Sequence, residues 1–421
     1  MGTRRWCLSA VTALVAVLAV SGCTSSGTGD SSGATTGGAS STRNGDGTSS
    51  ASPTSAPAVL TFSPADNAQN VNPTSLVTVA VAGGTLTDVT VANAAGAKVP
   101  GAISADKTGW QAKEILGYAK TYTVAAATVN VEGVAAKTVS TFTTVQPDNL
   151  TMPYFDTTGG GAMTAGATYG VGMVVNVHFD EQIPDKKAAE KALSVKTTPA
   201  VAGSWYWLSD QNVHWRPQKY FKPGTKVTVT AKVYGVNVGN RLYGQADKSV
   251  SFTIGTSHVS IADDNTKLVQ VYENGKLIRS MPTSMGKGGR SVIKGKTITY
   301  WTQPGIMTVL DQANPVLMDS ETYGLPHAAG GYKELVYWST RITTDGVYLH
   351  SAPWSVWAQG NTDTSHGCLN LSPENAQWFY EWSVVGDVVQ VKNTGGSQLE
   401  VWQNGDWSVP WAEWLKGSAL R

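Results

Sequence analysis

The sequence predicts a mainly β protein on three observations. Only 14% of its 421 residues are charged and the net charge is +1, while Gly, Thr and Val abound. That balance favours an all-β extracellular protein over a helical one and gives no sign of a nucleic-acid partner. Apolar residues alternate over short runs, as at Val77, Val79 and Val81, at Val89 and Val91, and at Tyr122 and Val124, the period-2 pattern of half-buried strands. The pattern also repeats. Trp110 precedes Thr121-Tyr122-Thr123-Val124 at the same separation as Trp215 precedes Lys226-Val227-Thr228-Val229, and the two units close on Thr141-Phe142-Thr143 and Ser251-Phe252-Thr253. Two tandem β-sandwiches of Ig-like type, followed by a third β-rich unit, are therefore expected.

At the N-terminus, Arg4 and Arg5 precede an apolar run from Leu8 to Val20. The run is shorter than the ~20 residues that span a bilayer comfortably and has the shape of a signal h-region. It ends in Val20-Ser21-Gly22-Cys23, the small-residue cleavage pattern of a bacterial lipoprotein. Residues 1–22 are expected to be a signal peptide and Cys23 the lipidated first residue; ordinary secretion is the alternative. Several acyl chains, at about 0.8 kcal/mol per buried CH₂, would anchor the chain stably to the outer face of the cell membrane. After Cys23, residues 24–57 are Ser, Thr, Gly, Ala and Pro apart from Asn44 and three charges, Asp30, Arg43 and Asp46, so that 23–57 reads as one segment. Such a segment buries too little to offset its ordering entropy and is expected to be a tether of roughly 30–35 Å, reaching toward the wall.

Residues 58–147 form the first expected module and residues 148–256 the second, with turn signals such as Asn72-Pro73 and Gly83-Gly84 between strands. Neither holds a cysteine pair, so Trp110 and Trp215 are expected to anchor the cores. Whether the modules bind wall or act as spacers is open.

The third unit, residues 257–393, opens with a hairpin: Lys267-Leu-Val-Gln-Val-Tyr272, an Asn274-Gly275 turn, then Leu277-Ile278. Thr297–Tyr300, Ile306–Val309 and Val347–Leu349 read as further strands. One helix is well signalled, with Ser372 as N-cap, Pro373 at the first helical position and apolar residues at helical spacing from Ala376 to Trp382. Residues 394–421 carry Trp402, Trp407, Trp411 and Trp414 and are expected to pack onto the third unit.

Chemistry concentrates on Cys368, since Cys7 and Cys23 lie in the export segment. It sits in Ser365-His366-Gly367-Cys368-Leu369-Asn370, downstream of His350-Ser351. A lone Cys after a Gly, with a His available from elsewhere in the fold, is the pattern of a nucleophile and its base. With the motif between a strand and a helix start, the helix N-terminus and backbone N–H groups are expected to stabilise a thiolate and an oxyanion.

These residues resemble the signature of the L,D-transpeptidases of YkuD type, a His followed by Ser/Thr-His-Gly-Cys-x-Asn. The resemblance covers about residues 258–393 and extends to the Trp-rich tail; the lipobox and Ig-like modules are also similar to the lipid-anchored multidomain members. One departure is Thr302-Gln303-Pro304-Gly305 in place of the usual Thr-Pro-x-Gly turn.

The resemblance implies transfer of a peptidoglycan tetrapeptide stem to Cys368 with release of D-Ala, then capture by the side-chain amine of another stem's diaminopimelate, giving a 3→3 cross-link. It implies His350 as base, oriented by the Ser351 carbonyl, and Gly367 as the turn that aims backbone N–H groups. His366 is assigned to the catalytic group, as support of the loop or as a direct participant, and Asn370 and Ser365 to positioning. Met318, Tyr323 and Tyr332 line the pocket under a flexible lid, Asp345 and Gly346 contact substrate, and Trp354 walls the pocket. No cofactor or metal is implied, and carbapenem β-lactams are the expected covalent inhibitors. The alternatives are an L,D-carboxypeptidase, a zinc site of His350, His366 and Cys368, and a non-catalytic wall-binding protein.

Overall fold

A computed structural model describes residues 56–421; Cys7, Cys23, the signal segment and nearly all of the tether lie outside the described residues. The repeat in the sequence is a repeat in the fold. In the first unit one sheet orders Val59–Ser63, Thr78–Ala82, Gly109–Ala112 and Gly101–Ile103, and the second orders Ala68–Val71, Ala135–Thr144, Thr121–Asn130 and Gly84–Asn93. The second unit has the same order: Pro153–Asp156, Val175–Phe179, Asn212–Pro217 and Gly203–Trp207 face Thr168–Tyr169, Lys248–Ile254, Lys226–Ala231 and Leu193–Thr198. Trp110 and Trp215 occupy equivalent strands, each 5% exposed. Each indole lies flat on a glycine of the neighbouring strand. A Cβ at Gly101 would stand 2.0 Å from the Trp110 ring, and one at Gly203 1.9 Å from that of Trp215. The two tryptophans are thus core residues, and the glycines are the space they need.

The third unit is built on a five-stranded sheet of Lys276–Pro282, Leu268–Glu273, His258–Asp263, Val388–Lys392 and Gly305–Thr308. The first pair is the expected hairpin, its turn made by Asn274 and Gly275 with φ of 50° and 80°, as a type I′ turn requires. A second sheet orders Asp311–Ala313, Ser339–Arg341, Tyr348–Ser351 and Leu369–Leu371, the last two parallel. Between the sheets lies a core of Met281, Met285, Met307, Leu349, Leu369 and Phe379. Helix Pro373–Trp382 is capped by the Ser372 side chain and buries Ala376 and Phe379.

The helix does not reach the cysteine. Strand Leu369–Leu371 intervenes, and three residues at about 3.3 Å each put the helix N-terminus roughly 10 Å along the chain. The expected helix-terminal stabilisation of a thiolate is therefore corrected.

The tail is also corrected. It packs largely on the second module. Trp414 is fully buried, stacked on Tyr206 at 4.7 Å, with its Nε1 donating to the Ser204 carbonyl. Trp407 donates to the Gly172 carbonyl and meets Tyr220 edge-on. The Arg216 guanidinium lies 4.7, 5.3 and 4.5 Å from the rings of Trp407, Trp411 and Trp414, and burial lowers its pKa to about 10 against the opposing pull of Asp406. His214 of the module meets Asp406 of the tail at 2.6 Å. Toward the third unit the tail contributes Leu399 to the core and Asn404, whose Nδ2 donates to the Thr308 and Ile342 carbonyls. Second module and third unit meet directly as well: Gly170 and Gly172 donate to Val385 and Gly386 carbonyls, and Val388 belongs to the module's core.

Candidate active site

Parallel pairing of Tyr348–Ser351 with Leu369–Leu371 sets His350 beside Asn370 and so brings Cys368, just before the second strand, onto the same wall. Cys368 and His350 line one cavity of about 190 Å³ together with Met318, Tyr332, Glu334, Val336, Trp354, Thr364, Ser365, His366 and Asn370. His350 is buried, and its Nδ1 lies 3.0 Å from the Ser351 carbonyl. A carbonyl only accepts, so Nδ1 carries the proton and Nε2 keeps its lone pair. Burial lowers the pKa of His350 to about 4, with the Ser351 carbonyl acting the other way.

Burial likewise raises the Cys368 pKa to about 11; the Tyr348 backbone N–H opposes this and the Asp345 charge adds to it. The resting pair is therefore thiol and neutral imidazole rather than the expected thiolate. Sγ donates to the Gly346 carbonyl at 3.8 Å.

The motif loop is held by its own side chains. Ser365 Oγ donates to the Cys368 carbonyl at 2.6 Å and accepts from the Gly367 N–H at 3.0 Å. Thr302 Oγ1 donates to the Gly367 carbonyl at 2.7 Å and accepts from Gly286. Gly367 has φ of 141°, a conformation that L side chains rarely adopt. Its own N–H is taken by Ser365, whereas the Cys368 N–H is unclaimed among the described residues.

His366 stands edge-on to Tyr300 at 5.1 Å and near Tyr332 at 5.1 Å. Its Nε2 accepts from the Lys287 ammonium at 3.1 Å. Burial and Lys287 lower its pKa, and a hydrogen bond to the Gly330 carbonyl opposes them. With Nε2 an acceptor, Nδ1 carries the proton of the neutral ring, and its packing on Tyr332 sets the motif against the lid. Asn370 is buried and donates to Ser355 Oγ at 3.0 Å, holding the turn Pro353–Ser355 that presents half-exposed Trp354, whose ring lies 6.2 Å from His350.

The lid is the hairpin Val316–Asp319 and Lys333–Val336 with two short 3₁₀ turns at its tip. Met318 and Tyr332 line the cavity. Tyr323 does not: it packs 6.4 Å from Tyr332, against a small cluster of Ile298, Tyr300 and Leu325. Asp345 lies off the wall, where its Oδ2 accepts from Gln403 at 2.6 Å; Gly346 takes part through its carbonyl alone. Sequence reasoning missed Glu334, Val336 and Thr364. The alternation of Tyr332, Glu334 and Val336, into and along strand Lys333–Val336, was the available signal. The donor atoms of His350, His366 and Cys368 do not gather; among the described residues the donors within 4.8 Å of one another are those of Asp319, Glu321 and His327, two of which already pair with each other across the lid.

Residues 257–391 match the L,D-transpeptidase catalytic domain and residues 68–237 a bacterial Ig domain. The chain is 43% identical over 362 residues to L,D-transpeptidase 2 of Mycobacterium tuberculosis (strain CDC 1551 / Oshkosh), covering 86% of this chain and 85% of that protein. It is 37% identical over 370 residues to L,D-transpeptidase 5 of Mycobacterium tuberculosis (strain ATCC 25618 / H37Rv), covering 86% and 77%. A solved L,D-transpeptidase in complex with imipenem is 31% identical, with 57% and 99% covered and a TM-score of 0.47. With a catalytic-domain match that takes in His350 and Cys368 and relatives aligned along most of its length, the chain belongs to the L,D-transpeptidase family.

Proposed function

We propose that the protein is an acyltransferase that forms 3→3 cross-links in peptidoglycan through a thioester on Cys368. The observation that carries this is the sharing of one cavity by Cys368 and His350, with Nδ1 of His350 held by Ser351 so that Nε2 is the free base. The donor carbonyl is that of the diaminopimelate L-centre in a tetrapeptide stem. As Sγ attacks it, the thiol proton passes to Nε2, and from there to the amine of departing D-Ala. The Cys368 N–H is a donor for the oxyanion, and the Tyr332 hydroxyl, kept protonated by burial, is a second donor on the same wall. The side-chain amine of a second stem's diaminopimelate then opens the thioester.

Export and lipid anchoring at Cys23, with the tether carrying the folded units toward the wall, fit this substrate. Carbapenems fit as inhibitors, because a strained lactam carbonyl offers the same thiol an acyl group of compact size.

Mass spectrometry of products from purified protein and a disaccharide-tetrapeptide tests the proposal. A dimer lacking one D-Ala is expected. Tripeptide alone makes the protein an L,D-carboxypeptidase, with water in place of the amine.

A further inference from the structure

A thioester on Cys368 must be opened by a nucleophile that enters from the cavity mouth, and at neutral pH a primary amine arrives there as an ammonium. The cavity wall holds one carboxylate, Glu334. It stands on strand Lys333–Val336, paired across the lid hairpin with Met318. Glu334 and Val336 alternate with Leu335 and Tyr337, which are 49% exposed on the other face. The position is thus aimed by the strand's period of two. The neighbouring lid charges are already spent on each other, Asp319 with Lys333 at 2.9 Å and with His327 at 2.9 Å. The Glu334 side chain makes no hydrogen bond or ion pair among the described residues. It is exposed, so its carboxylate is solvated at rest and exchanges water for an incoming cation. The remaining wall groups near it are Met318, Tyr332 and Val336, none of which competes for a cation's charge.

We propose that Glu334 binds the protonated primary amine of the acceptor at the cavity mouth and thereby favours amine over water as the group that opens the thioester. This rests on the transpeptidase reading above. The ammonium releases one proton to solvent as it leaves Glu334. Its lone pair forms the C–N bond, the C–S bond breaks, and the nitrogen's second proton passes through Nε2 of His350 to the departing sulfur. Amide, free thiol and one solvent proton result. Glu334 acts by raising the local concentration of the cation and orienting its nitrogen; water gains nothing from it.

The test compares wild type, Glu334→Gln and Glu334→Asp with a tetrapeptide donor and two acceptors: a stem bearing the diaminopimelate amine, and hydroxylamine, which is uncharged at neutral pH. Acceptor KM and the ratio of amide to tripeptide are each normalised to D-Ala release measured without acceptor. Glu334→Gln is expected to raise the KM for the cationic amine roughly tenfold, the scale of one charge-assisted contact, and to shift product toward tripeptide. Hydroxylamine transfer should stay at the wild-type value, and Glu334→Asp should retain part of the effect. An unchanged amine KM in Glu334→Gln, or an equal loss with hydroxylamine, overturns the inference while leaving the transpeptidase reading intact. Wild type that releases D-Ala but acylates no amine overturns both.

Discussion

Nδ1 of His350 lies 3.0 Å from the carbonyl oxygen of Ser351, its own neighbour in the chain. That contact does for this imidazole what a carboxylate does in many hydrolases: it sets the tautomer and aims Nε2. A neutral partner adds no negative charge, so the Ser351 carbonyl only partly offsets the burial that holds the ring uncharged. Thiol and imidazole are then both neutral at rest, and the proton has to move as the bond to substrate forms.

Removing either member of the pair is expected to disable the unit. Cys368→Ala should form no acyl-enzyme, and His350→Ala should acylate roughly 10²–10⁴-fold more slowly, both with unchanged thermal unfolding of the β units. A carbapenem should add its full mass to wild type and react far more slowly with Cys368→Ser, whose hydroxyl is a weaker nucleophile. Intact-mass spectrometry reads all of these; covalent label on Cys368→Ala would sink the assignment.

The acid limb of the acylation profile should fall near pH 4 instead of the ordinary histidine value of about 6.5, because burial lowers the pKa of His350. Stability follows the same group. The unfolded chain binds a proton at this histidine below about pH 6.5 and the folded chain does not until near 4. The stabilisation is thus complete above the unfolded value and is lost as pH falls through that window. Urea titrations at pH 7 and pH 5 should show a larger loss for wild type than for His350→Gln.

Ser365→Ala should cost about 1–3 kcal/mol, because it leaves the buried Gly367 N–H without an acceptor. Acylation should slow with it, since the same hydroxyl holds the Cys368 carbonyl. Gly367→Ala meets only an ordinary contact, the Trp301 carbonyl at 3.7 Å, but an unfavourable φ, worth about 1–3 kcal/mol. Denaturant midpoints and acylation rates of the two variants check this; wild-type values for both would show that the loop is held by other contacts.

The second module should behave as part of the catalytic body. Residues 148–421 are expected to fold and acylate without the first module, whereas residues 257–421 should expose the Trp-rich tail and lose cooperative unfolding. Trp414→Ala should cost about 3–5 kcal/mol, as expected for a fully buried indole. Near-ultraviolet circular dichroism during thermal unfolding distinguishes the outcomes. A stable, active 257–421 fragment would show that the module interface is dispensable.

Much of the fold was legible because it is written in local pattern. Alternating valines, the Asn274-Gly275 turn and the Ser372-Pro373 cap each act within a few residues, where steric and hydrogen-bonding preferences are decided by the residues themselves. The equal Trp-to-strand separations of the two modules were legible for the same reason. What the sequence could not show were meetings across long separations. The Arg216 guanidinium among three tail tryptophans, the exclusion of Tyr323 from the cavity wall and the pairing of Asp345 with Gln403 all depend on which surfaces the chain brings together.

The candidate site divides in the same way. The sequence by itself determined its chemistry: a single thiol, a histidine followed by a serine, and a glycine where the backbone must turn. The tertiary structure alone decided the state of those groups. Parallel pairing of the strands carrying His350 and Asn370 brought base and nucleophile into one cavity, and the packing around them buried the His350 ring. Charge is costly where water is absent, so burial rather than residue identity made the resting pair neutral, and the unpartnered carboxylate of Glu334 was left at the mouth to meet what enters.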